Sequence, residues 1–76
     1  MNDPPASVHY EIHVRGHLGD TLLAAFPGLR AEMRRGETVL VGPLPDQAAL
    51  HGVLGEIEAL GLELLEVRRK PQEEAR

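Results

Sequence analysis

The chain contains no cysteine and no tryptophan, and its only aromatic residues are Tyr10 and Phe26. Without thiols it has no disulfide staple, no thiolate metal site and no thiol nucleophile. Two isolated aromatics are too few for a platform on which bases stack. No run approaches the roughly 20 apolar residues that a membrane span requires. The opening residues, Met1 to Ser7, are polar and proline-bearing, without the apolar stretch of an export signal. Basic residues are outnumbered, 8 against 12 acidic ones, giving a net charge of −4. That balance argues against a general affinity for nucleic acid, and the expected location is the cytoplasm. A chain of 76 residues has room for one domain. At that size only about 60% of the unfolded chain's surface is buried on folding. Regular packing or association with another copy has to make the domain stable.

What is present is organised around Asp46 to Leu60. Leu50, Val53, Leu54, Ile57 and Leu60 fall at offsets of 0, 3, 4, 7 and 10, one stripe of a helix with 3.6 residues per turn. Pro43 and Pro45 precede this stretch, Asp46 is a good N-cap, and Gly61 stands where a left-handed residue ends a helix. The rest is strand-like and short. Val8, Tyr10, Ile12 and Val14 alternate with His9, Glu11, His13 and Arg15, the period of a half-buried strand. Leu18, Leu22, Leu23 and Phe26 predict a helix of about two turns, closed by Phe26-Pro27-Gly28. Leu29 to Arg34 alternates again, Arg35-Gly36 reads as a hairpin turn, and Glu37 to Gly42 carries Val39, Leu40 and Val41 at its centre. A continuous apolar run marks a central strand. Gly42 to Pro45 reads as the connector to the main helix, Leu62 to Val67 as a fourth strand, and Arg68 to Arg76 as a charged tail.

The order β-α-β-β-α-β predicts an α+β, ferredoxin-like split βαβ sandwich: a four-stranded antiparallel sheet with two helices on one face. Residues 8–69 form the domain, with a disordered lead-in at 1–7 and a charged tail at 70–76. Helices on one face leave the other face open, and the first strand places His9, Glu11, His13 and Arg15 there. Arg30, Glu32 and Arg34 join from the second strand, and Leu64, Glu66 and Arg68 are candidates from the fourth. His9, Glu11 and His13 are candidate metal ligands, though ligands on a single strand diverge and a solvated polar face is the plainer reading. On the back of the main helix Ala48, Gly52, Gly55 and Ala59 fall at offsets of 0, 4, 7 and 11. Each glycine inside a helix costs about 1 kcal/mol relative to alanine. A small-residue stripe lets another backbone approach, so these four, rimmed by Gln47, His51 and Glu58, are candidate interface residues. The turn holding Gly16, His17, Gly19 and Asp20 is a candidate ligand site, since such turns present N–H groups to anions; it faintly resembles the ligand loop of amino-acid-sensing ACT domains. Acylphosphatases use this fold with an asparagine on a later strand, whereas the sole asparagine here is Asn2.

The run Gly42-Pro43-Leu44-Pro45-Asp46-Gln47-Ala48-Ala49-Leu50-His51-Gly52, continuing to Leu60-Gly61-Leu62, is similar to a segment of small uncharacterised bacterial proteins common in actinobacteria. The resemblance spans Tyr10 to Arg69 and implies a stand-alone cytoplasmic domain. It brings no activity with it, and it draws attention to Asp46, Gln47, His51 and Gly52 as a unit. Taken together, the residues point to a non-catalytic, self-associating or protein-binding module without cofactor, most simply a homodimer. A small-ligand-binding regulatory domain is the alternative, and a metal-binding protein using the first strand comes third.

Overall fold

The structure, a computed structural model, describes residues 8–70. The expected lead-in at 1–7, and the expected tail from 71 onward, lie outside the described residues. The elements run β1 (Val8–Arg15), α1 (Asp20–Leu23), β2 (Arg30–Arg34), β3 (Glu37–Leu44), α2 (Gln47–Ala59) and β4 (Leu64–Lys70). The four strands form one sheet in the order β2-β3-β1-β4, with every neighbouring pair antiparallel. Each crossover therefore skips one strand, which is the α+β ferredoxin-like arrangement that the sequence predicts.

The main helix starts and stops as its sequence dictates. The Asp46 carboxylate accepts a hydrogen bond from the Ala49 amide at 2.9 Å, satisfying one of the donors that a helix start leaves free. At the other end Leu60 is the C-cap and Gly61 turns left-handed at φ 75°. The Gly61 amide donates to the Glu58 carbonyl and the Leu62 amide to the Ile57 carbonyl, each at 3.0 Å. This paired closure is the Schellman motif, and it brings Leu62 back against the last helical turn. Between the caps Leu50 and Ile57 are buried, and Val53 and Leu54 pack partly against the same core. Leu60 does not follow them: it lies 37% exposed, because the Schellman turn begins there and rotates the chain off the sheet.

The buried cluster joins Tyr10, Ile12 and Val14 of β1 with Leu40 and Leu44 of β3, Leu18, Phe26, and the two buried residues of α2. The predicted two-turn first helix is shorter than expected. Only Asp20–Leu23 is α-helical, with Gly19 as an N-cap that makes no side-chain hydrogen bond. Beyond it Ala25 and Phe26 donate to the carbonyls three residues back, at 3.0 Å each, a tighter winding that still delivers Phe26 to the core.

Both later strands are longer than the sequence indicated. β3 runs on through Gly42, Pro43 and Leu44 instead of ending in a connector. Proline is tolerated there because β2 reaches only as far as Val41, so Pro43 has one neighbouring strand rather than two. Gly42 is required by a close approach: a Cβ would lie 2.8 Å from the Gly28 carbonyl oxygen and 2.8 Å from the Leu29 side chain. β4 starts at Leu64 and continues through Arg68, Arg69 and Lys70, so those three basic residues belong to the sheet and not to a tail.

Thr38 is the fully buried polar residue that ties this layout together. Its hydroxyl donates to the Gly16 carbonyl at 2.7 Å and accepts from the Leu18 amide at 3.1 Å. The turn leaving β1 is thereby fastened to the start of β3. Replacing the hydroxyl by a methyl group strands the half-buried Gly16 carbonyl and the buried Leu18 amide at once. Thr38→Val is expected to lower stability by about 2–3 kcal/mol in urea denaturation, and Thr38→Ser to retain most of it.

Candidate functional site

Register assigns every side chain of the sheet to a face. Opposite the helices, Arg34, Glu37 and Arg15 form one row across β2, β3 and β1. The next row is Glu32, Val39, His13 and Glu66, and after it come Arg30, Val41, Glu11 and Arg68. Pro43, His9 and Lys70 close the face. The expected contributors from β1 and β2 are all present. From β4, Glu66 and Arg68 are present too, but Leu64 is not. A bulge between His13 and Val14 puts Leu64 opposite Val14, on the helix side, because one inserted residue reverses the alternation.

This face is polar yet not simply solvated. Val39 is fully buried and Val41 nearly so, walled in by the long side chains of their row neighbours. The ion pairs of the described residues all lie on or beside it: Arg15 with Glu63, Arg30 and Arg34 with Glu32, Arg68 with Glu66, Lys70 with Glu11, and His13 with both Glu11 and Glu37. His13 is 9% exposed. Its Nδ1 is 3.0 Å from a Glu37 oxygen and its Nε2 3.4 Å from a Glu11 oxygen. A neutral imidazole donates to one of these carboxylates, and the imidazolium to both. Glu37 is the partner that the sequence did not reveal, since it is 24 positions away and becomes adjacent only through the β1–β3 register.

As a metal site the β1 triad is spread out. His9 is exposed beside Lys70, while Glu11 is turned to His13 and Lys70. Among the described residues, no three His, Asp or Glu side chains group closely enough to hold a metal ion.

In the candidate ligand turn, the Gly16 amide donates to the Gly36 carbonyl at 2.8 Å and the Leu18 amide to Thr38. An imidazole nitrogen of His17 lies 2.7 Å from the Arg34 carbonyl oxygen. Those groups are committed to the fold, and Gly19 and Asp20 sit exposed beside them.

The outer side of α2 is laid out as the spacing indicates. Ala48, Gly52, Gly55 and Ala59 are all exposed, as are Gln47 and His51. A Cβ added at Gly52 or Gly55 would meet nothing within 4 Å, so open space stands over both.

The exposed apolar surface concentrates elsewhere, along β4. Every residue of β4 is exposed, including Leu64 and Leu65 at 41% and Val67 at 37%. Beside Leu64 an open groove of about 330 Å³ runs along the end of α2, lined by Leu54, Ile57, Glu58, Leu62 and Leu64. Among the described residues β4 pairs with β1 alone, so within them its other edge carries a row of unpaired backbone donors and acceptors. The sequence predicts a fourth strand over Leu62 to Val67 but carries no sign of how little of it is covered. Its exposure follows from an edge position with a single helix to cover it.

The Glu11 environment has a consequence for stability. Burial alone raises its carboxyl pKa, but the hydrogen bonds from His13 and Lys70 and the charges of Lys70 and Arg68 together outweigh that, leaving it below the ordinary 4.5. A carboxyl lowered in the folded state adds stability that is present above its unfolded value and lost as pH falls through the folded one. Wild type should therefore exceed Glu11→Gln in urea resistance at pH 7, and the gap should close as the pH is taken below 4.5.

No curated protein and no solved structure matches the chain significantly. No helix among the described residues is long and apolar enough to cross a membrane. The family model described as "Domain of unknown function (DUF8691)" matches residues 9–68, from the second residue of β1 to the middle of β4. The chain belongs to the DUF8691 family.

Proposed function

We propose that this domain is a non-catalytic self-association module whose working partner is another copy of itself. The observation that carries the reading is the uncovered apolar surface of β4: Leu64, Leu65 and Val67 on a sheet edge that no other described strand pairs with. Apolar surface gathered in one place on a small domain gains free energy when a partner removes it from water. The polar face offers less. Its charges are already paired within the chain, so covering it would desolvate them for little apolar gain. The non-catalytic part of the reading is supported by the Thr38 hydroxyl, which is locked between Gly16 and Leu18 and so is not free to attack a substrate.

Association linked to folding makes stability depend on protein concentration. The melting midpoint is expected to rise by on the order of 5 °C over a hundredfold increase in concentration. Free amino acids and nucleotides should leave it unchanged. The opposite pattern, a ligand-dependent rise at fixed protein concentration, would instead favour a small-ligand sensor working at Gly16 to Asp20.

A further inference from the structure

Building on the self-association reading, we infer that the outer edge of β4 is the contact, pairing antiparallel with β4 of a second copy about a two-fold axis at Val67. The two sheets then join into one of eight strands, with both polar faces on the same side.

The register follows from charge. A two-fold perpendicular to the sheet sets residues opposite one another only when they lie on the same face, which leaves three central registers over the regular part of β4. Centring on Glu66 opposes Glu66 to itself, and centring on Arg68 opposes Arg68 to itself; like charges directly across a ladder are destabilising. Centring on Val67 sets Glu66 against the second copy's Arg68 and Arg68 against the second copy's Glu66. On the helix side it places Val67 against its own symmetry mate. Glu66 and Arg68 already lie within 3.0 Å of each other on the polar face, so the exchange swaps the two internal pairs, one in each copy, for two intermolecular ones, and its weight is in choosing the register. In this register Leu65, the bulge residue, comes opposite the second copy's Arg69, which pairs with Tyr10 and so lies on the helix side. That arginine's guanidinium comes to the side of the molecule where Glu58 rims the groove.

Among the described residues the opposite edge, β2, is also unpaired, and its Glu32 and Arg34 allow a similar charge pattern. Apolar content separates the two edges. β2 exposes one large apolar side chain, Met33, whereas β4 exposes Leu64, Leu65 and Val67. The hydrophobic gain therefore falls on β4.

The test is sedimentation equilibrium of the full chain with charge swaps, each variant checked for its fold by circular dichroism. Wild type should be a dimer at micromolar concentration. Glu66→Arg and Arg68→Glu, each alone, make both cross-pairs repulsive and should weaken the dimer by about tenfold or more. Mixing the two single variants in equal amounts should restore it as a heterodimer, and so should both swaps in one chain. Val67→Lys should dissociate the dimer by opposing two lysines, and it decides the matter if Arg68→Glu fails to fold beside Glu11. Met33→Lys on β2 should leave the dimer intact. A wild-type dimer indifferent to the β4 changes, or broken by Met33→Lys, overturns this contact and leaves self-association standing through another surface. A wild type that stays monomeric at high micromolar concentration removes the broader reading as well.

Discussion

The structure depends on the meeting of one helix stripe with two central strands. Ile57 and Leu50 of α2 share a buried cluster with Ile12 of β1 and Leu40 of β3, and the largest fully buried side chains of the domain are in that set. In so small a chain, one such layer is most of the core that can be built. The caps matter because they fix the length of the stripe. Asp46 sets where α2 begins and Gly61 where it ends, and a helix of that length packs against β3 and β4 alike but leaves the outer edge of β4 uncovered.

That shortfall gives the molecule its surface. With α1 reduced to Asp20–Leu23, the helix layer over the sheet consists largely of α2. The middle strands β1 and β3 are protected on both faces, on one side by the helix layer and on the other by the paired charges that wall in Val39 and Val41. β4 shares in both only along its inner side. It stands at the edge, exposed along its whole length, with leucines beside the groove and alternating charges facing the other way. A stable centre and an unfinished edge are two results of the same limited core, and the functional reading rests on the second.

The polar face has a role of its own. It is a lattice of matched charges around His13, with Glu37 and Glu11 at its two nitrogens and Lys70 beyond Glu11. Such a lattice holds strands in register, because a slip of one residue would send these side chains into the core and Ile12 into water. Its observable role in this fold is to specify the alignment of β1 with β3 and β4.

Local pattern determined the element order, the α+β class, the limits of α2 and the faces of β1, since each rests on spacing within a few residues: period two in Val8–Arg15, period 3.6 in Leu50–Ile57, a capping Asp46 and a Gly61. It also placed the Ala48, Gly52, Gly55 and Ala59 stripe outward. What tertiary structure alone decided depends on which strand lies beside which. Thr38 became a clamp because Gly16 and Leu18 arrive beside it, and His13 became buried because Glu37 crosses to it. β4 extended through Lys70 because β1 was there to pair with, and Leu64 changed faces because of one bulge. Alternation along a chain fixes the face of a side chain only up to the first irregularity, and it carries no information about neighbours brought from twenty or more positions away.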